Sequence, residues 1–288
     1  MKRLLAICMA LGLALTAGCG GKGSTAITVV SREEGSGTRA AFVELMGILS
    51  DGVDNITPDA EITNSTAVMI ATVESNVNAI GYISIGSMSG SVKAVKVDGV
   101  AATPENVKNG SYPVARPFIV AAKDGLSRTA RDFVDFVLSD EGQSIVEEEG
   151  YIGVWGGGKY KGAGMRGKVA LAGSSSVAPV MEVLAEAYRE LNPEVEIEIQ
   201  QTGSSAGMIA AIRGVCDLGM ASRKLKDSEL AAGLKPVVIA MDGIAVIVNK
   251  ARGVDSLTSR QIRKIFTGEI TDWSEIIQAR PLRPREGL

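Results

Sequence analysis

Ala26-Ile27-Thr28-Val29-Val30-Ser31-Arg32-Glu33-Glu34-Gly35-Ser36-Gly37-Thr38-Arg39 runs from an apolar stretch through a glycine-serine turn into a helical pattern. It predicts a strand over 26–30, a tight turn, and a helix from about Thr38 to Leu49. The same grammar returns downstream. Lys168 to Ala172 reads as a strand and Gly173-Ser174-Ser175-Ser176 as its turn; the next helix presents Val180, Val183, Leu184, Ala187, Tyr188 and Leu191 on one face until Asn192-Pro193 stops it. The following strand alternates Val195, Ile197 and Ile199 with Glu194, Glu196 and Glu198, which leaves one face wet, and leads through Gln201-Thr202-Gly203-Ser204-Ser205-Ala206-Gly207 into another helix. Short strands alternating with amphipathic helices predict an α/β chain with largely parallel sheets.

Composition removes several classes of function. The 288 residues hold 33 acidic and 30 basic side chains, a formal charge of -3, no histidine, three cysteines and 34 glycines. Without a long basic run the chain offers nothing to a phosphodiester backbone, so no nucleic acid is expected. Without histidine there is no His-liganded metal and no Ser/His/Asp or Cys/His set. The chain also lacks a Ser-x-x-Lys spacing and a Gly-x-x-x-x-Gly-Lys-Ser/Thr phosphate loop, so neither a hydrolase nor an NTPase is supported. No catalytic residue, metal or cofactor is expected. At roughly 150 residues per domain the length fits one large or two medium lobes.

The first stretch reads as an address. Met1-Lys2-Arg3 is basic, and Leu4 to Ala17 is an apolar run of 14 residues, about 21 Å as helix against a hydrocarbon core of about 30 Å, too short to span. Leu15-Thr16-Ala17-Gly18-Cys19 resembles a lipoprotein cleavage site, with Cys19 as the lipidated residue; Thr16 stands where leucine is commoner, which leaves ordinary signal-peptidase cleavage as the alternative. Residues 1–18 are the expected signal peptide and 19–25 the tether. Once Cys8 leaves with the signal, Cys216 is the remaining thiol besides Cys19, in an apolar context that suits a buried small hydrophobe.

Two interruptions suggest joints. Gly153 to Gly167 holds seven glycines in fifteen residues without hydrophobic period, and Tyr112-Pro113-Val114-Ala115-Arg116-Pro117 breaks the pattern with two prolines before a strand at Phe118 to Ala122.

Three strand-to-helix turns carry small hydroxylated residues: Gly35-Ser36-Gly37-Thr38, Ser174-Ser175-Ser176 and Gly203-Ser204-Ser205. The first turn of a helix has unpaired N–H donors and the positive end of the macrodipole, which attract an oxyanion. Glycine lets backbone approach and serine adds a short donor. The same residues are ordinary helix caps, so a single turn would carry little. Arg32, four residues before Ser36, adds a guanidinium able to fork onto an oxyanion, or else onto Glu33 or Glu34.

With Asp217-Leu218-Gly219-Met220-Ala221-Ser222-Arg223, Ile265-Phe266-Thr267-Gly268-Glu269-Ile270-Thr271-Asp272-Trp273, Ile80-Gly81-Tyr82-Ile83 and Ser139-Asp140-Glu141-Gly142-Gln143, these segments resemble the phosphate-binding lipoprotein of bacterial phosphate ABC importers, over nearly all of residues 26–276. The resemblance implies a type II periplasmic-binding-protein-like fold of two lobes. The order of segments departs from the family. Residues 24–152 resemble its second half and 168–276 its first half, so the fold is expected to be circularly permuted: one lobe of 24–112 plus 243–277, the other 115–241 with the joint at 153–167, hinge crossings near Pro113–Arg116 and Met241–Gly243, and a disordered tail at 278–288.

The resemblance further implies a ligand shell of Arg32, Ser36, Gly37 and Thr38 from one lobe and Ser175, Ser176 and Ser204 from the other, with Ser222 and Arg223 as further candidates. Many family members follow the Ala-Ser pair with an aspartate that accepts a proton from phosphate, which disfavours sulfate. Arg223 occupies that place; it either adds charge to the site or points to the lobe rim. The implied function is a monomeric extracytoplasmic protein, anchored to the cell membrane through Cys19, that captures inorganic phosphate by hinge closure and hands it to the permease of an ABC importer. The alternatives are a sensor or binder of another oxyanion (sulfate, arsenate, molybdate) and a rearranged inactive relative.

Overall fold

The computed structural model describes residues 25–162 and 164–277; the signal peptide, Cys19 and the expected tail lie outside the described residues. Nine strands form one mixed sheet. Eight follow the order 194–201, 166–173, 218–221, 115–122, 235–249, 79–84, 28–32 and 61–63, and the ninth, Val92–Ala94, pairs beside the long strand Lys235–Asn249. The two flanks are parallel, as βαβ connections require, but the middle is antiparallel: Ala115–Ala122 runs against both Leu218–Ala221 and Lys235–Asn249, and the latter runs against Ala79–Ser84. The expectation of largely parallel sheets therefore holds only at the flanks. Strands that carry the chain between two packed bodies meet side by side rather than through a covering helix.

The hydrophobic residues separate accordingly. One cluster draws on residues between Val29 and Val114 and between Ile244 and Trp273, centred on Phe42, Tyr82, Phe266 and Trp273. Two adjoining clusters draw on residues between Phe118 and Ala240, including Phe133, Phe136, Tyr188 and Met208. The bodies are joined where Arg116 pairs opposite Asp242 and Ala115 opposite Gly243. A further link is absent from the sequence reading: Ile152 bridges Met241 and packs into the first cluster, while its neighbour Tyr151 packs into the second.

Local elements follow their sequence signals with small shifts. The first helix spans Gly37–Leu45 rather than reaching Leu49, because Gly47 adopts a left-handed φ of 63° and Leu49–Ser50 turns into a short strand. The second predicted helix runs Ala178–Leu191 with Pro179 in its first turn. In the edge strand Glu194–Gln201, Val195 is buried and the glutamates at 194, 196 and 198 are not, as the alternation predicts. Cys216 is buried, and burial pushes its thiol up, in keeping with a packing role. At the other end of the first cluster the chain closes on itself: the Trp273 amide donates to the Thr25 carbonyl at 2.9 Å, and Ile27 donates to Thr271 at 2.7 Å.

Candidate functional site

The strand Thr28–Arg32 ends at Arg32, and Gly35, at a φ of 90°, turns the chain into the helix capped by Ser36, whose hydroxyl accepts from the Arg39 amide. Gly173, at a φ of 145°, does the same before Ser174–Val177, and Gly203, at 84°, before the helix Ser204–Ile212. Only glycine holds such angles without strain. The three turns converge. Ser205 donates its amide to the Gly35 carbonyl at 3.0 Å, so the first and third turns touch directly. A β-carbon on Gly37 would collide with the Ser204 and Ser222 hydroxyls, so this position needs the missing side chain for the close approach.

Side chains complete a buried polar cluster. Arg32 is 2% exposed; its Nε and Nη2 fork onto Glu33 at 2.8 and 2.9 Å, and Nη2 also donates to Ser175 Oγ, 143 residues away, at 3.1 Å. Thr38 Oγ1 lies 2.9 Å from Ser176 Oγ, Ser174 Oγ donates to Ser222 Oγ at 2.9 Å, and the Ser222 amide donates to Ser204 Oγ at 3.2 Å. Arg32, Ser36, Gly37, Thr38, Ser175, Ser176, Ser204 and Ser222 are thus brought to one place. Both readings of Arg32 hold at once, because the guanidinium pairs with Glu33 and also faces the opposite turn.

Arg223 is the exception. It is buried, but its Nη1 and Nη2 fork onto Glu229 at 2.9 and 2.7 Å, and Nη2 makes one further bond, to Ser205 Oγ at 3.2 Å. The carboxylate neutralises it and holds it beside the short helix Asp227–Ala231, with the bond to Ser205 keeping it at the margin of the third turn.

Two residues of the cluster lie outside the ligand shell that the resemblance implies. Thr66 opens the helix Thr66–Ser75, and its hydroxyl lies 3.4 Å from Ser175 Oγ and 3.3 Å from Ser176 Oγ. Its signal was present in Asn64-Ser65-Thr66, a hydroxylated strand-to-helix junction that lacks only the glycine. Arg116, taken as a hinge residue, sends Nη1 to Thr38 Oγ1 at 2.7 Å and to the Ser222 carbonyl at 3.0 Å, while its Nε and Nη2 hold Asp242 Oδ2 at 3.2 and 3.1 Å. Nothing local in the sequence connects residues 116 and 242. Burial pushes the Asp242 carboxyl up to about 6 despite the guanidinium beside it, and pushes the Tyr82 phenol, which holds Ser31 and the Arg32 amide, up to about 12. Four helix starts and two buried guanidiniums surround one cluster of hydroxyls, a donor-rich arrangement of the kind that suits a small oxyanion.

Comparison with known proteins agrees with this chemistry. A family model described as a PBP superfamily domain matches residues 19–141 and 159–286. A phosphate-binding protein PstS 2 of Streptococcus agalactiae is 47% identical over 286 residues, 96% of this chain and 98% of that protein, and a phosphate-binding protein PstS 2 of Streptococcus pneumoniae is 43% identical over 258 residues, 88% of each. The crystal structure of a phosphate-binding protein of a phosphate ABC transporter from Streptococcus pneumoniae superposes with a TM-score of 0.69 at 42% identity, covering 87% of this chain and 99% of that one. The chain belongs to the PBP superfamily and, within it, to the PstS family of phosphate-binding proteins.

Proposed function

We propose that this protein is the extracytoplasmic solute-binding component of a phosphate ABC importer, capturing inorganic phosphate and passing it to a membrane permease without breaking a bond. The observation that carries the reading is the convergence of Arg32, Thr38, Ser175, Ser176 and Ser204, from both bodies of the fold, on one buried cluster. Ser36, Gly37 and Ser222 belong to the same shell; Arg223 lies at its margin, bound by Glu229. Opening and closing about the paired strands at Arg116 and Asp242 admits and releases the ligand. Cys19 carries the lipid that holds the monomer at the outer face of the membrane.

The order of the two halves is that of a circular permutant of the order the family resemblance implies, with lobes at 24–112 plus 243–277 and 115–241. An alignment that spans 98% of the S. agalactiae relative keeps its segments in the order of this chain, which favours a working arrangement over a scrambled, inactive one. Calorimetric titration of the protein from Cys19 onward tests the function. Saturable phosphate binding near micromolar, about -8.2 kcal/mol, is expected, and no heat with phosphate overturns the reading; sulfate as competitor reports how far the site discriminates without a carboxylate at position 223.

The close approach of the turns gives a second check. Gly37→Val is expected to weaken phosphate binding by about 1–3 kcal/mol, the scale of forced overpacking, with the unfolding transition retained. Unchanged affinity would show that the turns need not meet.

A further inference from the structure

Three hydroxyls of the cluster accept from partners that can only donate. Ser175 Oγ accepts from Arg32 Nη2, Ser204 Oγ from the Ser222 amide, and Thr38 Oγ1 from Arg116 Nη1, the last at 2.7 Å. A guanidinium or backbone N–H has no lone pair to offer, so each hydroxyl must send its own hydrogen elsewhere. For Thr38 the neighbouring hydroxyl able to take that hydrogen is Ser176 Oγ, at 2.9 Å, on the opposite turn.

Arg116 is well placed to impose this. It is 2% exposed and sits where the two crossing strands pair, directly opposite Asp242. Asp242 Oδ2 takes its Nε and Nη2, Asp242 Oδ1 is held by the Ser84 hydroxyl at 2.8 Å, and the guanidinium lies over the Phe118 ring with its carbon 5.3 Å from the centroid. Nη1 faces the other way, and it bridges Thr38 on one body and the Ser222 carbonyl on the other. The guanidinium plane is therefore fixed, and a lysine could not serve both ends.

We infer that Arg116, clamped by Asp242, is a positioning residue for anion capture: by donating to the Thr38 hydroxyl it turns that hydroxyl's hydrogen away from itself and toward the Ser175–Ser176 turn, so that the site favours an oxyanion presenting acceptor oxygens on that side. This rests on the phosphate-binding reading above.

The test is a double-mutant cycle in phosphate affinity. R116Q/D242N removes both buried charges together, so neither is orphaned. It and T38V are each expected to weaken binding by about tenfold to a hundredfold, the range for one hydrogen bond to a charged group. In the triple variant the loss is expected to be no larger than for T38V alone within about threefold, because a residue that acts through Thr38 has nothing left to act on. A purely structural contribution would multiply with T38V instead, and that result, or wild-type affinity in R116Q/D242N, overturns the inference. Should R116Q/D242N lose its cooperative melting transition, R116K replaces it: a loss that disappears in the T38V background is expected, and unchanged affinity or an additive loss overturns the inference. Wild-type protein that binds no phosphate removes the underlying function, whereas wild-type binding with multiplicative losses removes only the role of Arg116.

Discussion

Arg32→Ala is expected to lower phosphate affinity by about 2–5 kcal/mol, the scale for truncating one partner of a buried charged contact. The guanidinium is buried at the end of its strand, with its amide and the neighbouring Ser31 held by the Tyr82 hydroxyl, and it reaches across to Ser175. Glu33, its ion-pair partner, is only partly buried, so the carboxylate left behind can rehydrate and the loss falls mainly on the ligand. Calorimetry checks this. An affinity within twofold of wild type would mean that Arg32 serves Glu33 alone and that the anion is held by hydroxyls and helix starts.

Phe42→Ala is expected to cost about 3–5 kcal/mol of folding stability, as for deletion of a buried aromatic ring. Phe42 lies on the helix that Ser36 caps. Its ring stacks on Tyr82 with centroids 4.1 Å apart and meets Phe266 edge-on at 4.8 Å. The cluster is thus the floor beneath Arg32 and Thr38, and deleting its middle ring leaves a cavity under the turn. Denaturant unfolding measures the loss. Phosphate at a hundredfold excess over its dissociation constant should return about 2.7 kcal/mol through preferential binding to the folded state. A loss below about 1 kcal/mol would show that the surrounding rings collapse into the gap.

Much of this was legible from sequence because the deciding features are local. Each of the glycine-serine turns sits between a short apolar strand and an amphipathic helix, and the glycines at 35, 173 and 203 do take the angles that make such turns. The buried Cys216 and the half-wet strand at 194–201 likewise declare themselves through their immediate neighbours. What escaped depends on pairs far apart in the chain. Arg116 and Asp242 are joined by strand register, 126 residues apart, and neither has a neighbour that signals the other. Arg223 looked like a possible ligand because it follows Ser222; its direction is set by Glu229 on a short helix whose start carries no strong apolar period. Thr66 carries a weaker local signal, since its junction lacks the glycine that marks the other three.

The hydrogen bond from Trp273 to Thr25 means that the described chain begins and finishes at one corner of its first body. Backbone stretches held this close leave room for the same strands to be linked in another order without moving any of them.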